Sequence, residues 1–315
     1  MRVTRYDSEL ARPSVVAIGV FDGVHRGHQQ LIRRVVERAR EWECVSSVVT
    51  FDPHPGAVVS PNGGPELLAT LDQRLESFAQ LGVDQVRVID FTRDIAGQSA
   101  EEFVDEVLVT QLGARGVVVG DDAHFGRGRE GNLELLRRLG GLRGFDVESA
   151  GAIGEEQRFS SSLVRDLLRD GEVAEAAHVL GRPFILRGLV AHGDARGRQI
   201  GFPTANLETQ VRQALPQLGI YAGLSKVGEE WIASAISVGT RPQFYDGARP
   251  LVESHLIDYR GDLYDTEMDV AFLARLRAEA RFSSLDALVE QMGRDVDDAR
   301  RIAENFGSRS PDLLG

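Results

Sequence analysis

Short, β-branched apolar runs alternate with amphipathic segments through the first half of the chain. Residues 14–21, "SVVAIGVF", are closed by Asp22-Gly23 and read as a buried strand. Leu31, Ile32, Val35, Val36 and Ala39 then recur at three- and four-residue steps, which gives one apolar face to a helix over 27–42. "CVSSVVTF" (44–51), "QVRVID" (85–90) and "RGVVVG" (115–120) read as further strands, with helical "SAEEFVDEVLVTQLG" (99–113) between the last two. "FDVESA" (145–150) is a weaker strand. This order predicts a parallel sheet with helices on both faces. Such sheets bind ligands outside the carboxyl ends of their strands.

Residues 159–183 read as two short helices with Gly171 between them, serines at the start and Gly181-Arg182-Pro183 as a stop. After Pro183 the texture changes. "FILRGLVAHG", "GIYAGLSKVG", "EWIASAISVG" and "LVESHLIDY" are strand-like runs separated by turns containing Gly or Pro, the spacing of a small antiparallel barrel. The tail over 283–306 is helical by period. The expected boundary lies near residue 182, giving domains 1–182 and 183–315. No internal repeat, low-complexity tract or long linker interrupts them.

Composition narrows the class. The chain has 315 residues, 42% hydrophobic and 27% charged, which suits a soluble protein of two ordinary domains. No apolar run is long enough for a membrane span, and the first residues lack a signal-peptide core. A single cysteine, Cys44, excludes an internal disulfide, so the expected location is cytoplasmic. A net charge of −12 argues against a general nucleic-acid binder, but a few local arginines still suffice for a nucleotide.

The candidate chemistry begins at the first strand end, in "AIGVFDGVHRGHQQLI". His25 and His28 sit three apart around Gly27 as a helix begins. Three readings are open: a metal site, a buried turn, or a phosphate site. Zinc needs three or four ligands, and the remaining histidines are scattered. A buried turn does not require two polar imidazoles. A helix N-terminus with free N–H groups, a glycine for close approach and two imidazoles on one face explains more, because imidazoles donate to charge developing on a phosphate.

The H-x-G-H string resembles the signature of the nucleotidyltransferase superfamily, and longer blocks make the likeness specific. "IGVFDGVHRGHQQLI", "TFDPHP", "VVGDDAHFGRGREG", "FSSSLVR", "LGRPF" and "HGDARGRQIGFPTANLE" occur in that order. "GIYAG", "SVGTRPQF", "VESHLIDYRGDLYD" and "FLARLRAEARFSSLDAL" follow. Together they resemble the bacterial bifunctional riboflavin kinase/FMN adenylyltransferases, the FAD synthetases, over nearly the whole chain. The resemblance implies a Rossmann-like α/β nucleotidyltransferase domain followed by an antiparallel β-barrel kinase domain with a carboxy-terminal helix. It implies ATP, riboflavin, FMN and FAD as substrates and products, Mg2+ with the ATP, and no nucleic-acid or membrane partner.

In the amino-terminal half the resemblance makes His25 and His28 catalytic donors to the ATP phosphates. It places Gly19, Phe21, Asp22, Gly23, His54, Asp122 and Arg127 at the nucleotide. Ser160, Ser161, Ser162 and Arg165 match a hydroxyl-and-arginine phosphate clamp, and Asp122 with Phe125 would meet the flavin. The residues alone leave plainer alternatives: His54 as an ordinary loop histidine, Arg127 and Arg129 as solvated cations, and the serines as a simple N-cap with a surface arginine.

In the carboxy-terminal half the resemblance gives Gly193, Arg196, Gly197 and Arg198 to the nucleotide phosphates and Arg277 to the flavin. Thr204 and Asn206 become metal ligands, and Glu253 the base that takes the substrate hydroxyl proton. Oxygen donors of that kind suit magnesium better than zinc. Strand alternation does not single out Glu253: Leu251, Glu253, His255 and Ile257 share a face that is neither cleanly polar nor apolar.

Two rival readings have weaker support. A tRNA synthetase-like enzyme would need a basic RNA face, and a non-catalytic flavin or nucleotide regulator would not need the intact His25, His28, Thr204, Asn206 and Glu253. A third keeps the kinase and weakens the adenylyltransferase, because Ala123 and His124 stand where relatives carry an aromatic and Arg or Thr.

Overall fold

A computed structural model describes residues 1–5, 13–151, 159–193, 197, 200–209, 212–239 and 251–309. The chain divides into two compact units, Met1–Pro65 with Leu71–Ser160, and Glu66–Thr70 with Ser161–Gly315. The two short helices after residue 160 therefore group with the barrel.

The first unit is built on six strands: β1 (Arg2–Arg5), β2 (Ser14–Ile18), β3 (Val45–Asp52), β4 (Gln85–Asp90), β5 (Ala114–Val119) and β6 (Asp146–Ser149). Their order is β1-β4-β3-β2-β5-β6, and every neighbouring pair is parallel. Strands of such a sheet bury both faces, hence the unbroken apolar runs. Val15 and Ala17 of β2 pack beneath α1 (Arg26–Glu41), with Leu31, Ile32 and Val35 from the helix. Val16 faces the other way, toward Phe103, Val104, Leu108 and Leu136. Those residues come from α5 (Ala100–Phe103), which continues as a π-helical stretch (Val104–Gln111), and from α6 (Leu133–Arg143). The chain leaves β2 toward β3 on one side and later returns to β5 on the other. The topological switch point is therefore at β2, the strand that leads to the histidine pair.

In this unit α2 (Pro55–Val59), α3 (Leu71–Gln80) and α4 (Arg93–Gly97) fill the connections. β1 is a strand that the hydrophobic pattern does not reveal. Of "RVTR" only Thr4 is buried, and pairing with β4 holds the segment.

The second unit begins with α7 (Ser161–Asp170) and α8 (Val173–Leu180). A closed antiparallel barrel follows, of β7 (Phe184–Ala191), β8 (Ala205–Thr209), β9 (Gly219–Val227), β10 (Glu230–Gly239), β11 (Leu251–Leu256) and β12 (Glu267–Arg277). α9 (Leu285–Arg309) ends the described chain. Phe184, Tyr221, Ile236, Val238, Val252 and Phe272 fill the barrel, all essentially inaccessible to solvent. Residues of opposite parity face outward. Ala222, Ala233 and Ala235 on that outer face are small enough for α9 to lie against them through Val296, Ala299 and Ile302. β8 and β12 are absent from the pattern-based reading, because β8 is short and β12 mixes charges into its apolar run.

Candidate active sites

Beyond β2 the backbone turns sharply. Phe21 and Val24 adopt left-handed conformations, with φ of 54° and 43°, and Gly23 has φ of 76°. Such a φ is costly for a β-branched residue and persists only where packing enforces it; Val24 is 1% exposed. The turn delivers His25 to the N-cap of α1. The His28 backbone N–H donates to His25 Nδ1 at 3.4 Å, so the proton of the neutral His25 ring belongs on Nε2. The two imidazoles stack, with centroids 3.6 Å apart and planes 21° from parallel. Phe21 meets His28 edge-on at 5.1 Å and braces Phe78 behind it at 5.6 Å. Gly27 leaves room for this stack, since a Cβ there would come within 3.3 Å of the His25 ring. Phe159 passes beside the same glycine, which brings the entry to the serine run alongside the start of α1.

Burial dominates the electrostatics. It lowers the His25 pKa to about 4, although the Asp122 carboxylate pulls the other way. His28 is driven well below the usual histidine range by burial and then by His25. Both rings are neutral at pH 7 and act as N–H donors rather than cations. His28 Nδ1 is buried without a hydrogen-bond partner among the described residues.

Asp122 follows β5, next to β2, so the switch point puts it within electrostatic reach of His25. His124 Nδ1 lies 2.8 Å from the Asp122 carbonyl oxygen and is exposed. Ala123 is partly buried against the core beneath, beside Phe125 and Phe103. Phe125 exchanges backbone hydrogen bonds with Gly131 and rests 6.0 Å from the Phe103 ring. Arg127 and Arg129 lie exposed on the following turn. At the end of β3, His54 caps α2 by accepting the Gly56 N–H on Nδ1 at 2.9 Å.

Ser161 and Ser162 open α7, in the second unit, and Ser160 closes the first. Arg165, one turn in, is 8% exposed, and its Nε donates to the Glu66 carbonyl at 2.6 Å. It is a buried arginine, not a surface one.

In the barrel unit a cavity of about 250 Å³ lies on the outer face of the strands beside α9. Thr204, Glu253 and Arg277 line it together. Glu253 pairs with Asn206 on β8 and with Ser237 on β10, so Glu253, Asn206 and Ser237 share one face of the sheet, while Thr204 lies just before β8 and Arg277 ends β12. Asn206 is 7% exposed. The Gly193 backbone presses against it, and a Cβ there would sit 2.1 Å from the Asn206 amide nitrogen. Gly197 accepts the Ile200 and Phe202 N–H groups at 3.2 and 2.8 Å. Arg196 and Arg198 lie outside the described residues.

Two constellations on one chain invite comparison with proteins that carry both. A family model described as FAD synthetase matches residues 7–163, and one described as riboflavin kinase matches 180–303. The bifunctional riboflavin kinase/FMN adenylyltransferase of Pseudomonas fluorescens is 40% identical over 294 residues, covering 93% of this chain and 94% of the relative. The chain belongs to this family. The Bacillus subtilis member is 32% identical over 297 residues, covering 93% of each chain. A crystal structure from Streptococcus pneumoniae, described as a macrolide-efflux protein, superposes with a TM-score of 0.86 at 30% identity, covering 95% of this chain and 99% of that one. No helix among the described residues is long and apolar enough to cross a membrane.

Some residues that shape the family sites carry no sequence signal. Arg74 of α3 is 4% exposed and reaches under the segments after β2 and at the end of β3. Its Nη1 donates to the Val20 carbonyl at 2.8 Å, to Thr50 Oγ1 at 2.9 Å and to the Phe51 carbonyl at 3.2 Å. Burial lowers its pKa, while Asp22 and Asp52 favour its charge. An amphipathic helix full of charged residues gives no hint which arginine turns inward. Ser237 and Asp295 of the barrel cavity are likewise invisible without register.

Proposed function

We propose that the chain makes FMN from riboflavin and ATP in its barrel half and FAD from FMN and ATP in its amino-terminal half, in the cytoplasm. What supports the reading is the match of two family models to successive parts of the chain, with the His25–His28 pair intact at the end of β2. The division of labour runs at 1–182 and 183–315, although α7 and α8 group with the barrel.

In the first reaction pair the FMN phosphate attacks the α-phosphorus of ATP and pyrophosphate leaves. Catalysis is positioning plus charge stabilisation. His25 and His28 act as neutral N–H donors to the phosphate oxygens. The turn at Gly19, Phe21, Asp22 and Gly23, with His54, Asp122 and Arg127, frames the nucleotide. Ser160, Ser161, Ser162 and Arg165 complete the phosphate contacts, and Phe125 with Asp122 meets the flavin.

In the barrel, Glu253 accepts the proton of the terminal ribityl hydroxyl as the γ-phosphoryl group is transferred. Gly193, Arg196, Gly197 and Arg198 hold phosphates, and Arg277 flanks the flavin. Thr204 and Asn206 would hold a magnesium ion, being oxygen donors two residues apart, one just before β8 and one within it, with the Gly193 backbone against the Asn206 amide. Bound there, the ion neutralises phosphate charge.

The test is product analysis. Purified protein is incubated with ATP and magnesium, and with riboflavin or FMN, and the flavins are separated by chromatography. Riboflavin should yield FMN and then FAD, and FMN should yield FAD with pyrophosphate. Unchanged flavins in both incubations would overturn the reading.

A further inference from the structure

Asp295, on the wall of the barrel cavity, lies outside every family motif quoted above. Arg277 ends β12, and its guanidinium meets Asp295 of α9. Nε lies 3.0 and 3.1 Å from the two carboxylate oxygens, and Nη2 lies 2.7 Å from Oδ2. Asp295 is 6% exposed, and Gln291, one turn earlier, donates to its Oδ1 at 2.9 Å. The remaining edge of the guanidinium is occupied too: Nη1 donates to the Ala278 carbonyl at 3.1 Å. Its face lies 5.6 Å from the Phe282 ring centroid. Arg277, Asp295 and Phe282 all line the cavity that holds Glu253 and Thr204.

This clamp is not needed to seat the helix. The apolar seam of Val296, Ala299 and Ile302 against Ala222, Ala233 and Ala235 already does so. What the carboxylate adds is a fixed guanidinium plane. Two other carboxylates, Glu253 and Glu279, line the same cavity. A guanidinium released from Asp295 can swing toward either and fill the space the substrate needs. Binding must then displace it, which weakens association without altering the chemical step.

We infer that Asp295 is a positioning residue of the riboflavin kinase reaction, holding Arg277 as a preformed wall of the flavin pocket. The inference rests on the barrel being the riboflavin kinase half. It makes α9 part of the substrate site rather than a cover for the barrel.

Asp295→Asn keeps the shape but loses the charge-assisted bidentate pair. It should raise KM for riboflavin about tenfold and leave kcat within about threefold, the split expected when binding alone is lost. Asp295→Glu should return KM to within about threefold of the parent, because the carboxylate is restored. Combining Asp295→Asn with Arg277→Gln should add nothing to Arg277→Gln alone, since no guanidinium remains to be held. Circular dichroism reports whether α9 survives. If Asp295→Asn does not fold, Gln291→Leu decides, and it should raise KM by about threefold through loss of the second hold on the carboxylate. A KM unchanged from the parent in the folded variants overturns the inference, as does a loss of kcat at unchanged KM. A parent protein that makes no FMN overturns the kinase reading beneath it instead.

Discussion

The two halves solve phosphate chemistry in opposite ways. In the amino-terminal unit the candidate groups sit on loops at the ends of parallel strands: the turn after β2 carries His25 and His28, and the loop after neighbouring β5 puts Asp122 within electrostatic reach of His25. In the barrel the candidate groups come from different elements: Thr204 precedes β8, Glu253 lies on β11 and Arg277 ends β12, and all three line one cavity beside α9. Burial dominates the first candidate site and keeps its two imidazoles neutral at pH 7. The second is a cavity lined by several carboxylates, one of which anchors an arginine. A parallel sheet offers strand ends, whereas a closed barrel has its interior filled and must use its outer wall.

That contrast can be broken most forcefully at the base. Glu253→Gln should cut riboflavin phosphorylation by at least about 100-fold while FMN adenylylation and the fold persist, because an amide cannot take the hydroxyl proton. Coupled assay of FMN formation checks it; near-normal turnover would move the base elsewhere.

A weaker blow falls on the support of the loops. Arg74→Met removes the donor shared by the Val20 and Phe51 carbonyls and should lower FAD formation about tenfold through misplacement of both loops. Arg74→Lys should fall between the variant and the parent. Steady-state rates for both activities show whether the effect stays in the first half.

Why the two sites were unequally legible follows from the same contrast. The histidine pair, its glycine and the strand before it are contiguous, so pattern and helix geometry expose them together. Thr204, Glu253, Arg277 and Asp295 are far apart in the chain, and only the folded barrel with α9 brings them to one cavity. The face bearing Glu253 looked unclassifiable because it is neither core nor free surface: it borders a cavity. β2 to β5, most barrel strands and the tail helix declared themselves by period. β1, β8 and β12 did not: β1 is held by pairing, β8 is short, and β12 mixes charges into its apolar run.

The protonation of the first site gives a smaller effect. His25 has its folded pKa lowered to about 4 from the ordinary histidine value of 6.5. A group kept neutral by folding supports stability fully above its unfolded value, and that support is lost as pH falls from 6.5 toward about 4. Thermal unfolding of the parent should therefore drop through this window. His25→Gln, which gains no proton, should show a shallower decline when the two are melted at matched pH.

The smallest effect concerns the departures at 123 and 124. Ala123 packs against the core around Phe125, and His124 leans on the Asp122 carbonyl, so neither is required to face substrate. Ala123→Phe with His124→Arg should tighten KM for FMN by no more than about threefold, on the scale of burying a modest apolar surface. A larger gain would revive the reading of a weakened adenylyltransferase.

The central claim is that two independent constellations share one chain, and His28→Ala tests it most directly when both activities are measured on the same preparation. FAD formation from FMN should fall by at least about 100-fold, the scale of losing one preorganised donor, while FMN formation from riboflavin stays within about twofold. Equal loss of both activities in a variant that still folds would contradict the account.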